Sequence, residues 1–173
     1  MIIRCNLEID TKLIKELRDK TSAGVMDCKK ALEETEGNVE QAASLLRSKG
    51  IASAAKKAER DTDQGVIATY IHSGGRIGSM VEVNCETDFV ARTDDFSQLT
   101  HDIAMQIAAM APKFVSSQDL PEGSEDKAEE VCLLSQSFIK DPSKSIQDLV
   151  NETVGKLGEN IRVRRFERFS LGE

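Results

Sequence analysis

The sequence predicts an α+β protein: a three-helix bundle at the front, then a domain that mixes a small antiparallel sheet with packed helices. Three observations carry this. Residues 10–49 hold three successive helical patterns, each broken by a turn-forming stretch. Residues 65–86 alternate apolar and polar residues on both sides of Ser73-Gly74-Gly75, as a hairpin does. Helical patterns and a last alternating segment are then mixed through residues 94–171.

In the first helix, over 10–20, Leu13, Ile14 and Leu17 share a face, and Asp10 or Thr11 is of N-cap type. Thr21-Ser22-Ala23-Gly24 breaks the pattern. The second helix, over 25–35, places Cys28, Ala31 and Leu32 at helical spacing, and Gly37 ends it. Asn38 is expected to cap the third, over 39–49, where Val39, Ala42, Ala43 and Leu46 recur at i, i+3, i+4 and i+7 and Gly50 follows. The Ala- and charge-rich stretch 51–64 reads as a helical or partly helical linker. The expected domains are therefore a bundle over 1–52, a linker over 53–64 and a core domain over 65–173. In the core domain, Phe96, Leu99, Ile103, Ile107 and Met110 mark an amphipathic helix stopped by Pro112. Residues 116–130 are polar and turn-rich and read as a surface loop. An apolar stretch ends at Asp141-Pro142, and Ser145 caps a helix holding Ile146, Leu149, Val150 and Leu157. Residues 159–171 alternate as a strand, with the pattern blurred at Arg165-Phe166, where a bulge or a solvent-facing edge is expected.

Composition narrows the function. The 173 residues are 39% apolar and 31% charged, which suits a soluble protein with an ample core. No apolar run reaches the roughly 18 residues of a membrane helix, and the opening MIIRCNLEID does not read as a signal peptide. A net charge of -7 argues against non-specific nucleic-acid binding, and 4% aromatic residues without Trp against a base-stacking platform. Cys5, Cys28, Cys85 and Cys132 have no metal or redox spacing and read as reduced, mostly buried thiols. His72 and His101 have no metal-type neighbours. No P-loop, dinucleotide glycine pattern or nucleophile elbow occurs.

Three stretches have both a bland and a functional reading. Val25 and Met26 follow a tight turn at a helix start; spacing favours their stapling the bundle, and the sharper reading leaves them exposed as an apolar anchor beside Lys29. Lys56, Lys57 and Arg60 read as a solvated helix face, and Arg162, Arg164 and Arg168, on one face of a strand, as protection of a sheet edge. In NCETDFVAR, residues 84–92, Thr87 or Asp88 is of N-cap type at a strand-to-helix joint. Spacing favours Phe89 as a core plug behind that cap. The alternative is that a strand turning there presents Asp88 and Phe89 outward, joining a charge to a wedge of large apolar area.

Taken together, ELRDKTSAGVMDCKKAL, GNVEQAASLLRSKG, AAKKA, GRIGSMVEVNCETDFVAR, HDIAMQIAAM and GENIRVRRFERFSLG resemble the translation elongation factor Ts family, in order and over most of the chain. The front part also resembles the three-helix ubiquitin-associated fold that this family carries. The resemblance implies a non-enzymatic guanine-nucleotide exchange factor that binds elongation factor Tu carrying GDP and speeds GDP release. It has no cofactor of its own and acts on the partner's Mg-GDP. Asp88 and Phe89 would push in near the partner's magnesium site, flanked by Thr87 and Val90. Val25, Met26 and Lys29 would touch a helix of the same partner domain. His72 would contact its phosphate-loop side, and Lys57, Leu157 and Gly158 are counted with this surface. The chain departs from the family in having one core repeat where long members have two, which implies a homodimer, and in lacking a helical hairpin between DLP and EEVCLL. Direct contact with nucleic acid or membrane is not expected. The implied location is the bacterial cytoplasm, or the plastid stroma for a plastid protein. A helical binding module of ubiquitin type without exchange activity is the alternative; it leaves the larger C-terminal part unexplained.

Overall fold

The computed structural model describes residues 9–21 and 23–172. Its first three helices are α1 (Thr11–Thr21), α2 (Val25–Glu34) and α3 (Val39–Lys57). Asp10 starts α1 by accepting from the Lys12 backbone N–H at 3.0 Å, and Asn38 starts α3 by accepting from Gln41 N–H at 3.0 Å. Leu17, Cys28, Ala31, Leu32 and Ala42 form a small fully buried core between the three helices. Lys20 pairs with Glu40 at 2.6 Å and Lys49 with Glu34 at 2.7 Å, so exposed ion pairs tie α3 to both neighbours.

One expectation is corrected here. Gly50 does not end α3; the helix continues to Lys57, so the expected boundary at 52/53 falls inside it. A single Gly costs a helix only about 1 kcal/mol against Ala, and the Ala-rich ASAAKK that follows outweighs it. The added turns lie against the helix of residues 146–157, and a Cβ placed on Gly155 of that helix would stand 3.6 Å from the Gly50 Cα. The bundle thus joins the core domain through a helix that belongs to both.

The sheet has the antiparallel order β1 (Gln64–Ile71), β2 (Ile77–Cys85), β5 (Ile161–Ser170). One face packs on α5 (Asp94–Met110), with Val81, Val83, Phe96, Leu99, Ile103 and Ile107 in the core. The other face exposes Ile67, Ile71, Met80 and Phe169. Gly65 pairs with Asn84, and a side chain there would strike the Val83 carbonyl oxygen at 2.2 Å, so only glycine lets β1 and β2 meet at that end.

The expected irregularity in β5 lies one residue earlier than the blur suggested. Glu82 pairs with Arg165 and Val83 with Val163, which makes Arg164 the extra residue of a bulge. The bulge reverses side-chain parity. Arg162, opposite Asn84, and Arg168, opposite Ser79, therefore lie on opposite faces, and the expected single-face arginine stripe does not form. Arg168 instead reaches the α5 terminus and donates to the Ala108 carbonyl at 3.2 Å.

The segment expected to be loop contains a turn of 3-10 helix at Ser117–Asp119 and the short α6 (Ala128–Val131). Two short strands, β3 (Ser137–Phe138) and β4 (Asp141–Ser145), pair next. Buried Gln106 of α5 holds this hairpin by accepting from Ile139 N–H and donating to the Ser137 carbonyl. Ser145 and Asp148 then form a reciprocal capping box at the start of α7 (Ile146–Leu157), and Gly158 ends it in the left-handed conformation. Cys28, Cys85 and Cys132 are buried free thiols, while Cys5 lies outside the described residues.

Candidate functional site

β2 runs out at Cys85, and the chain turns through Glu86 and Thr87 into α4, a single helical turn of Asp88–Ala91. Thr87 is its N-cap: the hydroxyl oxygen accepts from Val90 N–H at 3.3 Å. A turn this short has two faces. Val90 is 4% exposed and sits in the main core, so it anchors the turn and is not itself offered at the surface. Phe89 points the other way and is 78% exposed, which overturns the core-plug reading. Asp88 beside it is also exposed and pairs with Arg92, one turn on, at 2.7 Å. An exposed i,i+4 pair of this kind contributes only about 0.3–0.5 kcal/mol, so it leaves Asp88 free to change partner.

The turn is braced from across the sheet. One oxygen of the Glu159 carboxylate accepts from Glu86 N–H at 3.1 Å and from Thr87 N–H at 3.0 Å; the other accepts from the Thr87 hydroxyl at 2.6 Å. In return, Asn160 N–H donates to the Glu86 carboxylate at 2.6 Å, and the Asn160 amide donates to the Arg60 carbonyl at 2.8 Å. Arg60 also approaches Glu86 at 3.4 Å. The ends of β2, α7 and the α3 extension are thereby tied into one knot directly behind Phe89. Burial pushes the Cys85 thiol up from its ordinary range, and the negative Glu159 nearby adds to this, so the cysteine beneath the turn stays protonated.

A second exposed apolar point lies on the bundle. Gly24 precedes α2 in an extended conformation and supplies no side-chain cap, and Cys28, Ala31 and Leu32 alone of α2 are buried. Val25 and Met26 are 48% and 62% exposed, so they do not staple the bundle together. Lys29, on the next turn, is exposed with its ammonium 3.8 Å from Glu33.

The remaining expected residues are spread out. His72 is exposed just beyond β1, its Nδ1 3.3 Å from the Tyr70 hydroxyl, and Tyr70 packs edge-on against His101. It sits at the turn of the hairpin opposite Ile77, about 26 Å along β2 from the Phe89 end at 3.3 Å per residue. Leu157 is half-buried against the core and Gly158 is exposed, and both lead directly into Glu159. Lys57 is half-buried and donates to Ser53 Oγ at 2.6 Å. The sequence reading missed Glu159, Glu86 and Arg92. Arg92 was findable from its i,i+4 spacing to Asp88, whereas Glu159 and Thr87 are 72 residues apart and no local signal joins them.

Among the described residues, no group of three or more His, Cys, Asp or Glu side chains is arranged to hold a metal ion, and no helix is long and apolar enough to cross a membrane. What the fold displays here is a bulky apolar side chain on a braced turn and a pair of apolar side chains on a helix start, all open to solvent.

Comparison with known proteins gives the family. The sequence profile described as Elongation factor TS matches residues 8–130 and 123–173. Elongation factor Ts of Syntrophomonas wolfei is 48% identical over 195 aligned positions, covering 95% of this chain and 91% of that protein. The Koribacter versatilis protein of the same name is 51% identical, with 96% and 90% covered. For that of Thermosynechococcus vestitus the figures are 50%, 96% and 66%. The chain belongs to the elongation factor Ts family. Alignments of 195 positions against a chain of 173 residues mean that the relatives carry residues this chain lacks, and the profile match divides within 123–130, where the missing hairpin was expected.

Proposed function

We propose that this protein is a guanine-nucleotide exchange factor for elongation factor Tu, and that it releases GDP by pressing Phe89 into the magnesium and phosphate side of the partner's nucleotide site. The observation that supports this reading is the exposure of Phe89, 78%, on a turn held from behind by Val90, Thr87 and Glu159. An exchange factor must bind the nucleotide-free partner more tightly than the GDP-bound one, and linkage then requires GDP to weaken its binding in turn. A wedge that enters only a deformed site has that differential affinity. Burying a Phe contributes about 1.5–3 kcal/mol, which corresponds to roughly 10- to 200-fold faster release if all of it opens the site. Asp88 carries its charge to the same place. Val25, Met26 and Lys29 add affinity from the bundle, and His72 touches the partner at a separate point. The factor uses no cofactor of its own and works on the partner's Mg-GDP, in the cytoplasm.

The outer face of the sheet supports a second element of the proposal, a homodimer. Ile71 and Phe169 flank Gly78 from either side, and Met80 and Ile67 continue the apolar surface. Pairing two such faces about a two-fold axis removes them from water. Light scattering should report a dimer, and Phe169→Lys should shift it to monomer; a strict monomer with full exchange activity would remove this element.

The deciding experiment is stopped-flow release of a fluorescent GDP analogue from elongation factor Tu, with and without this protein. Saturable acceleration is expected. Release at the same rate in both would overturn the proposal.

A further inference from the structure

We propose that Glu159 is a positioning residue for nucleotide exchange: its carboxylate holds the Phe89 turn in the one orientation that lets the ring act. The inference rests on the exchange reading above. Four observations carry it. Two consecutive backbone N–H groups, of Glu86 and Thr87, converge on one Glu159 oxygen, and the Thr87 hydroxyl takes the other. Hydrogen bonds to an ionised acceptor are roughly twice as strong as neutral ones, and three on one carboxylate define a rigid three-point seat. That same Thr87 hydroxyl caps the turn carrying Phe89, so the seat and the wedge share an atom. Glu159 is itself fixed: it follows Gly158, which ends α7, and precedes Asn160, whose N–H is bound by Glu86. The arrangement is reciprocal, with each glutamate binding the backbone beside the other.

A free turn of four residues has too few internal hydrogen bonds to keep one geometry. A wedge that rotates away from its target spends its burial energy in orientations that do not open the site, and misplacement by an ångström can cost rate steeply. Glu159 therefore acts on the maximal rate and not on the encounter with the partner, to which Val25, Met26 and Lys29 contribute independently.

The test uses the full chain with elongation factor Tu and the fluorescent GDP analogue, reading maximal release rate and half-saturating concentration separately. Glu159→Ala should lower the maximal rate by about tenfold and leave half-saturation within about twofold. Glu159→Gln keeps an acceptor for the two N–H groups and can donate to the Thr87 oxygen, so it should restore most of the rate. In amide hydrogen exchange of the protein alone, Glu86 and Thr87 should lose protection in the Ala variant and keep it in the Gln variant. Should the Ala variant fail to fold, Glu159→Asp, too short to reach all three donors at once, is read in the same way. Three results overturn the proposal: unprotected amides with an unchanged maximal rate, a raised half-saturation with an unchanged maximal rate, or a rate loss that Gln does not restore, which would make the charge itself the acting group. A wild-type protein that releases no GDP, with its Glu86 and Thr87 amides still protected, would instead overturn the exchange reading alone.

Discussion

Phe89 and the Val25–Met26 pair are both exposed apolar side chains near the start of a helix, yet the chain supports them in different ways. The turn under Phe89 is four residues long and takes its rigidity from outside: a buried Val90 below, a carboxylate 72 residues away behind, and a second carboxylate returning the bond. α2 is ten residues long, has no side-chain cap, and takes its rigidity from its own ladder and from Cys28, Ala31 and Leu32 in a small core. The first arrangement fixes direction, which a wedge needs. The second fixes only position, which is enough for a contact that adds affinity. On the proposed reading, the difference separates what sets the rate from what sets the concentration at which the rate is reached.

The largest expected effect tests the rate half of that division. Phe89→Ala should slow maximal GDP release by one to two decades, from the burial of one Phe. Its urea midpoint should stay within what about 0.5 kcal/mol accounts for, since an exposed residue is being cut back. A loss of the roughly 3–5 kcal/mol typical of buried Phe truncations would return Phe89 to the core. Next comes the affinity half. Val25→Ala with Met26→Ala should raise half-saturation about tenfold through lost apolar burial, with the maximal rate kept. A fall in the maximal rate at unchanged half-saturation would break the comparison.

A smaller effect concerns the joint between the two regions. Gly50 lies inside α3, and a methyl there would meet the Asn151 carbonyl oxygen at 3.5 Å, an ordinary contact. Gly50→Ala should therefore stabilise the protein by up to about 1 kcal/mol, visible as a higher thermal midpoint. A lower midpoint would mean that the α3–α7 crossing tolerates no side chain.

Acid should affect both regions least. The Lys20 ammonium bound to Glu40 holds that carboxyl below its ordinary range in the bundle, and the Arg165 guanidinium does the same for Glu82 in the sheet. A carboxyl whose folded pKa is depressed stabilises the fold above its unfolded value and loses that contribution as pH falls through the lower folded value. Both pairs are exposed, so the loss is shallow. It should appear below the ordinary carboxylate value of 4.5 and flatten in Glu40→Gln and Glu82→Gln. An equally steep acid limb in both variants would remove these pairs from the account.

Much of this was legible beforehand. α1, α2, the start of α3, the β1–β2 hairpin, α5, α7 and β5 have long periodic patterns or strong caps such as Asn38 and Ser145. The failures have physical causes. Gly50 resembles a helix stop, but tertiary contact with α7 and the alanines beyond it decide otherwise. β3 and β4 are too short to show a period. The position of the β5 bulge depends on pairing with β2, which no single strand reveals. In the site, a single helical turn has no periodicity from which to read which side Phe89 faces, and spacing alone favoured the wrong side. The Glu159 seat exists only after the two ends of the sheet have met.

The continuous run of α3 through the expected boundary bears on how the two contact points meet a partner together. A flexible linker would let the bundle sample many positions, and its contact would then act as a tethered ligand whose local concentration falls with tether length. Here the spacer is a helix packed on α7. If both points dock as proposed, the protein is a bivalent ligand with a fixed span. Once one point has docked, the other is already at its target or already misses it. A partner of the right spacing gains avidity with little further loss of freedom, and one of the wrong spacing gains none.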